Sequence, residues 1–378
     1  MDVFHLVRDF LSGQAGSASF EEELQTLDNT QIRIALLGRS GTGKSSLMNA
    51  LVGERVAASG AVETTTKAQE FDVNGLIFVD LPGGGTSQFP FDEYLDTIKI
   101  ARYDAFVLVV SKRILESDLD LFNELKNRTG KKIHIVRTML DQDVENAAHD
   151  GISPDLLTHR VRADLEGKFG TTHHCWLISN RHPDAYDFPA FSDSLLEDFD
   201  EARRDKYVFA VQAYTTEQLR RKREVAERHV TLFAGMAAVN GFNPIPAADI
   251  VADVAILVKM NQWILRCYKL DEEHLKKELR RTPMTSAQVT LINRLIAYGT
   301  REFILSLLKK QATRMTGKEI AKWVPVVGQM ASAGLGFALT RWMGHDLIGQ
   351  CEEATRALLQ ANAAASGKNS KAKVSKKN

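Results

Sequence analysis

Hydrophobic and polar positions alternate in a regular order through the first half of the chain. Short runs rich in β-branched residues predict buried strands, and longer polar segments with helical spacing separate them. Strands that alternate with helices form a mainly parallel sheet with helices on both faces. Residues 30–200 are therefore expected to form an α/β domain. The predicted strands are residues 32–37, 76–79, 105–110, 133–136 and 176–178.

Helical spacing dominates the rest of the 378 residues. An amphipathic pattern over residues 3–11 predicts a leading helix, and three or four helical segments follow residue 200. We expect residues 1–29 to join an all-α domain formed by residues 201–362. Residues 363–378 carry five lysines and no acidic or aromatic residue, a composition that predicts a disordered tail.

Charge and cysteine content narrow the function classes. The chain has 48 basic and 48 acidic residues, and this zero net charge argues against nucleic acid as a partner. Cys175, Cys267 and Cys351 are far apart, which suits a reducing compartment. Neither of the most apolar windows has the roughly 18 uninterrupted apolar residues of a membrane-spanning helix. We therefore expect a cytoplasmic protein.

A glycine-rich segment directly follows the first predicted strand and precedes a helical run. The backbone amides of such a loop can surround a phosphate, and the helix N-terminus adds its positive dipole end. Lys44 would contact the β- and γ-phosphates, and the hydroxyl of Ser45 would bind Mg²⁺. An ordinary glycine-rich turn would not require lysine and then serine at these positions. The predicted nucleotide-binding residues of this segment are Gly38, Arg39, Ser40, Gly41, Thr42, Gly43, Lys44, Ser45 and Ser46.

Two further segments carry groups that a magnesium–triphosphate site needs. Asp80 ends the second predicted strand, where its carboxylate would hold Mg²⁺ through water. Gly83 would bring its amide to the γ-phosphate. Between the two motifs, a threonine would complete the metal shell, and we expect Thr65 in this role with Thr64 as the alternative. The candidate metal ligands are thus Ser45, Thr65 and Asp80, and Lys44, Thr65 and Gly83 are candidate catalytic residues.

The segments after the last two predicted strands indicate how a base is selected. Residues 138–141 read Thr-Met-Leu-Asp, where guanine-binding loops read Asn/Thr-Lys-x-Asp. Asp141 would accept hydrogen bonds from guanine N1 and N2, whereas adenine offers no donor at N1. Met139 replaces the usual lysine, and a lost charged hydrogen bond costs about 1.5–3 kcal/mol, so binding is weakened but not abolished. Thr138 belongs to the same loop, and Ser179 and Asn180 would present backbone N–H groups to guanine O6.

These motifs together resemble the immunity-related GTPases, which are relatives of the dynamin-like large GTPases. The resemblance covers residues 32–199 and is most specific in residues 60–65, 80–90, 136–138, 177–180 and 186–189. It implies a P-loop GTPase (G) domain at residues 30–200 beside a helical domain built from both chain ends. It also implies pairing of G domains in the GTP state that accelerates hydrolysis, with Glu63 linked to catalysis in the dimer, and membrane association.

We therefore expect Mg²⁺-dependent hydrolysis of GTP to GDP, stimulated in a homodimer or oligomer, with peripheral membrane contact as a further expectation. A different class of function stays open: a scaffold or switch that binds GTP or GDP and scarcely hydrolyses it. Residues 84–86 read Gly-Gly-Thr where Ras-type enzymes place a glutamine, which favours the scaffold, whereas Lys44, Ser45 and Asp80 favour hydrolysis. Arg39 is either a charge-stabilising residue or a solvated loop side chain. The lysine-rich tail would either bind anionic lipid or remain in solvent.

Overall fold

The computed structural model describes residues 17–57, 68–81, 99–170, 174–240, 248–281, 285–314 and 328–375. The chain divides into two compact units. One, here called the α/β unit, comprises Asn29–Gln218. The other, here called the helical unit, comprises Met1–Asp28 together with Leu219–Asn378, and helix α1 (Ser17–Asn29) lies at its N-terminal side.

The α/β unit contains one six-stranded sheet in the order β2-β3-β1-β4-β5-β6. All neighbouring strands pair in parallel except β2, which runs antiparallel to β3. The predicted class, a mainly parallel α/β unit followed by a helical part, is confirmed. The strands are β1 (Ile32–Leu37), β2 (Gln69–Val73), β3 (Leu76–Asp80), β4 (Ala105–Val110), β5 (Ile133–Arg137) and β6 (Cys175–Leu177).

Helices cover both faces of this sheet, because each buried strand is apolar on both sides. On β1, Ile34 and Leu36 enter one core cluster, whereas Ala35 and Leu37 enter the other. The first cluster includes residues of α2, α6 and α7, and the second includes residues of α3 and α5. The helices are α2 (Lys44–Val52), α3 (Glu116–Thr129), α4 (Leu140–His149), α5 (Pro154–Phe169), α6 (Phe188–Leu195) and α7 (Glu201–Ala210).

Two features of the α/β unit differ from the sequence expectation. Strand β2 was not predicted, because its residues are polar and largely exposed at the sheet edge. The signal for it is the following Asn74-Gly75 pair, which has φ 56° and 85° and forms the tight turn of a hairpin. The unit also continues to Gln218 rather than ending at residue 200, because Tyr207 and Ala210 of α7 pack into the core of the sheet.

The helical unit has more helices than the three or four expected. Gly235 lies so close to Phe20 of α1 that an added Cβ would stand 2.3 Å from its ring. Helix α13 continues to Ser375, where a disordered tail was expected from residue 363; alanine and lysine are good helix formers even without a core to bury. The predicted helix at residues 3–11 lies outside the described residues. Following α7, the helices are α8 (Thr216–Asn240), α9 (Ala248–Cys267), α10 (Glu272–Arg281), α11 (Ser286–Tyr298), α12 (Arg301–Arg314) and α13 (Gly328–Ser375).

Within the described ranges, no helix combines the length and the apolar character that crossing a bilayer requires.

Candidate functional site

The glycine-rich loop joins β1 to α2 at the carboxyl edge of the sheet. Two of its glycines are required by the backbone: Gly38 has φ 128°, and a Cβ there would lie 2.1 Å from the carbonyl oxygen of Val109. Gly43 has φ 97° and immediately precedes Lys44, the first residue of α2. The first N–H groups of a helix have no acceptor within the helix. The loop therefore presents amide hydrogens and a helix dipole where an anion can bind.

Lys44 and Asp80 form a buried pair beneath this loop. Their side chains are each 8% exposed, and Lys44 Nζ lies 3.5 Å from Asp80 Oδ1. The ammonium also donates to the carbonyl oxygens of Gly38, at 2.7 Å, and of Arg39, at 3.1 Å. Burial lowers the pKa of Lys44 and raises the pKa of Asp80, and in each case the partner's charge opposes that shift. Both ions are thus held where additional charged partners would stabilise them.

The residues around Asp80 suit a hard cation. Asp80 Oδ1 is buried and accepts no hydrogen bond from any described residue. Ser45 follows Lys44 in the first turn of α2, so a hydroxyl and a carboxylate oxygen are available on adjacent elements. Mg²⁺ prefers oxygen ligands and is commonly held by one or two protein groups together with phosphates. In the described part of the chain, no cluster of three or more His, Cys, Asp or Glu side chains could hold a metal alone. The donors therefore fit Mg²⁺ bound jointly with a nucleotide.

The Arg39 side chain binds two groups outside the phosphate loop. Its Nε lies 3.3 Å from Asp118 Oδ1, and one of its terminal nitrogens donates to the carbonyl oxygen of Arg113 at 2.7 Å. Asp118 is almost fully buried and also accepts from the Leu115 amide at the start of α3. The Arg39 side chain is 36% exposed and pairs with Asp118, and a role for it at the phosphates stays a prediction.

The base-recognition loop follows β5 and is bonded to the phosphate loop. The fully buried hydroxyl of Thr138 donates to the carbonyl oxygen of Thr42 at 2.6 Å. Met139 adopts the left-handed conformation, with φ 64°, and leads into α4, whose first turn holds the buried Asp141. Arg137, which sequence analysis did not select, donates to the Thr138 carbonyl oxygen and to Asp143. The loop is therefore fixed on both sides of Met139.

The loop after β6 reaches the same place. The buried Ser179 hydroxyl accepts from the amides of Arg181 and His182, each at 3.2 Å, so this side chain shapes its own loop. Asn180 Nδ2 donates to the Gly43 carbonyl oxygen at 3.2 Å. Arg181 Nη1 lies 3.7 Å from Asp141 Oδ2. Arg181 was not among the site residues predicted from the sequence, although it directly follows the Ser179-Asn180 pair.

Not every predicted site residue can be placed. The structure brings together residues 38–46, Asp80, Thr138, Asp141, Ser179 and Asn180 at the carboxyl ends of the parallel strands, where α/β sheets bind ligands. Ser40 and Gly41 are exposed at the tip of the phosphate loop. Glu63, Thr64, Thr65 and Gly83 lie outside the described residues.

Comparison with known proteins agrees with these motifs. A family model described as "Interferon-inducible GTPase (IIGP)" matches residues 14–333. The chain is 27% identical over 374 residues to Interferon-inducible GTPase 5 of Bos taurus, covering 93% of this chain and 80% of that protein. It is 27% identical over 285 residues to Interferon-inducible GTPase 1 of Mus musculus, covering 71% and 68%.

Solved structures match a smaller part of the chain. The G domain of the T. maritima FeoB iron transporter is 22% identical, with 44% of this chain and 98% of that chain covered and a TM-score of 0.30. The family model, in contrast, spans most of the sequence, and it confirms the resemblance that the motifs indicate. The chain therefore belongs to the interferon-inducible GTPase family.

Proposed function

We propose that this protein binds GTP with Mg²⁺ and hydrolyses it to GDP and phosphate, and that self-association in the GTP state accelerates the reaction. The observation that carries this proposal is the buried pair of Lys44 and Asp80, 3.5 Å apart beneath the glycine-rich loop. Burial opposes the charge on both groups. A phosphate beside Lys44 and a divalent cation beside Asp80 would relieve both penalties.

Different residues of the site are proposed to bind the phosphates and the metal ion. The amides at the start of α2 and the Lys44 ammonium would bind the β- and γ-phosphate oxygens and hold them in line for attack by water. Ser45 and Asp80 would hold Mg²⁺, which when bound neutralises charge on those oxygens. Sequence assigns the remaining roles: Thr65 to the metal shell, and Gly83 to the γ-phosphate. From the family resemblance, we propose that Glu63 acts in catalysis within the dimer.

We propose that the loops after β5 and β6 select guanine. Asp141 would accept hydrogen bonds from guanine N1 and N2. Thr138 and Asn180 are bonded to the phosphate loop, so their side chains position the base relative to the phosphates instead of contacting the base. The Ser179 hydroxyl orients the amides that follow it, which supports a backbone contact to guanine O6.

Nucleotide binding is tested by calorimetry on the full chain with GDP and Mg²⁺. Lys44→Ala should weaken binding about 10- to 150-fold, because a hydrogen bond to a charged group is worth about 1.5–3 kcal/mol. Lys168→Ala is the matched control, since Lys168 forms an exposed pair with Asp164 one turn away on α5. Equal affinity of the Lys44 variant and the control would contradict the phosphate-loop assignment.

Measuring GTP hydrolysis distinguishes a GTPase from a scaffold that only binds nucleotide. The uncharged Met139 and the lack of a glutamine at residues 84–86 favour a scaffold that binds nucleotide and scarcely hydrolyses it. GTP turnover should be measured over a hundredfold range of protein concentration, with ATP in parallel. The proposal expects slow turnover when dilute and rising specific activity as dimers form, because a residue supplied by a partner can contribute about 10³–10⁵ in rate. Constant, near-zero activity would favour the scaffold.

Cytoplasmic location is proposed from the three separated cysteines, and peripheral membrane contact from the family resemblance. Co-sedimentation with anionic vesicles tests the contact, with GDP and with a non-hydrolysable GTP analogue. Binding that is equal to that of neutral vesicles in both nucleotide states would contradict it.

A further inference from the structure

The base-recognition loop, residues 138–141, turns through a conformation that its own sequence disfavours. Met139 has φ 64°, in the left-handed region that residues other than glycine rarely adopt. A methionine stays in this conformation only where the surrounding structure imposes it. Asp141, the proposed acceptor for guanine, follows two residues later in the first turn of α4. The position of its carboxylate therefore depends on the contacts that hold the turn at Met139.

Main-chain hydrogen bonds fix both sides of this turn. The Thr138 amide donates to the carbonyl oxygen of Val110, at the end of β4, at 3.1 Å. The Leu140 amide donates to the carbonyl oxygen of Ile178, directly after β6, also at 3.1 Å. These bonds attach the loop to the neighbouring strands, and they leave the Thr138 carbonyl oxygen to a different partner.

Arg137 provides that partner from the end of β5. Its side chain is only 3% exposed. One terminal nitrogen of the guanidinium, Nη1, donates to the Thr138 carbonyl oxygen, and the other, Nη2, donates to Asp143 Oδ2. A guanidinium presents these N–H groups in a rigid planar fork. A single side chain thus joins the residue before Met139 to the first turn of α4.

Asp143 is the second half of this clamp. Its side chain is 8% exposed, and its own amide donates to the Met139 carbonyl oxygen at 3.4 Å. Lys112 Nζ lies 3.6 Å from the other carboxylate oxygen, but the Lys112 side chain is 75% exposed, and exposed pairs contribute little. Replacing a buried ion pair with apolar residues is often neutral for stability, so stability alone does not account for the pair of Arg137 and Asp143.

We propose that Arg137 is a positioning residue for guanine recognition. Together with Asp143, it holds the turn at Met139 so that the Asp141 carboxylate meets N1 and N2 of the base. This inference rests on the proposed function, because it concerns the base of the same nucleotide. Arg137 acts through the loop and has no contact with the nucleotide. Changes at Arg137 should therefore alter the choice of base and leave the phosphate chemistry as it is.

The test compares GDP with inosine diphosphate, which lacks the 2-amino group of guanine, by calorimetry on the full chain with Mg²⁺. The wild type should bind GDP about 10-fold more tightly, because inosine diphosphate loses one hydrogen bond to Asp141. Arg137→Lys should reduce this preference to about threefold or less, since lysine lacks the fork that bonds both acceptors. In turnover, KM for GTP should rise with kcat unchanged.

The ratio of the two affinities separates positioning from stability. A smaller folded fraction weakens the binding of both nucleotides by the same factor and leaves their ratio unchanged. The double variant Arg137→Met with Asp143→Leu leaves no unpaired buried charge, so it should melt near the wild-type temperature and still lose the preference for GDP. Arg128→Lys is the matched control, because Arg128 forms a partly exposed pair with Glu124 on α3.

The outcomes are distinct for the inference and for the proposed function. The inference is overturned if Arg137→Lys or the double variant prefers GDP as strongly as the control does. Wild-type protein that binds GDP and inosine diphosphate equally would instead overturn the proposed role of Asp141. Wild-type protein that binds no guanine nucleotide would overturn the proposed function itself.

Discussion

The hydrogen bond between Thr138 and Thr42 should contribute measurably to the stability of the α/β unit. Thr138→Val keeps the shape of the side chain but removes the hydroxyl that donates to the Thr42 carbonyl oxygen at 2.6 Å. Thr138 is fully buried, so this carbonyl oxygen would lose a partner where water has little access. An unsatisfied buried polar group costs about 1–3 kcal/mol, and we expect a loss of that size.

Urea unfolding followed by circular dichroism measures this loss in the transition that shifts on addition of GDP. In heat denaturation, the melting temperature should fall by about 2–4 °C for each kcal/mol in a unit of this size. Thr158→Val is the control, because the Thr158 hydroxyl bonds the carbonyl oxygen of Pro154 one turn earlier on an exposed helix face. If Thr138→Val destabilises the unit no more than Thr158→Val, the proposed link between the two loops is wrong.

Two further predictions concern the helical unit. Gly235→Ala should destabilise it by about 1–3 kcal/mol, because the new Cβ would meet the Phe20 ring at 2.3 Å. Gly349→Ala should stabilise it by about 0.5–1 kcal/mol, since nothing lies within 4 Å of the position of its Cβ. Equal effects of the two substitutions on the free energy of unfolding in urea would contradict the packing of Gly235 on Phe20. Burial lowers the pKa of Lys222 from 10.5 to about 8, so the unfolded chain binds the extra proton between these values. The unfolding free energy should therefore rise by up to about 3 kcal/mol from pH 8 to pH 10.5, and Lys222 should contribute no pH dependence below pH 8, where both states carry the proton. Lys222→Met should lack this rise, and the same pH profile in both proteins would rule out Lys222 as its source.

Most of the sheet could be predicted from the sequence, because buried parallel strands are continuous apolar runs. All five predicted runs are strands. The exception is β2, an edge strand that is partly exposed and therefore lacks the apolar signature, although the Asn74-Gly75 turn marks its end. The C-terminal end of the α/β unit was not predicted, because the sequence of α7 is rich in charged residues although some of its side chains, such as Tyr207, pack on the sheet.

The site was predictable where backbone shape determines the chemistry. Gly38 and Gly43 have positive φ angles, and Lys44 and Asp80 lie together beneath the loop, as the spacing of the two motifs indicates. Side-chain direction was less predictable. Arg39 looked available to phosphate in the sequence, but Asp118, 79 residues away, holds it against α3. Nothing local in the sequence indicates such a partner.

Hydrogen bonds between residues far apart in the sequence connect the phosphate loop to the loops that follow β5 and β6. The Thr138 hydroxyl reaches across 96 residues to Thr42, and the Asn180 amide reaches across 137 residues to Gly43. Both bonds end on carbonyl oxygens of the loop that we propose binds phosphate through its amides. A base that orders residues 138–141 or 179–181 therefore also constrains the phosphate loop, and a phosphate bound there constrains the base-recognition loops in return. Because this coupling is reciprocal, we expect the neutral Met139 to lower the affinity for the whole nucleotide and not for the base alone.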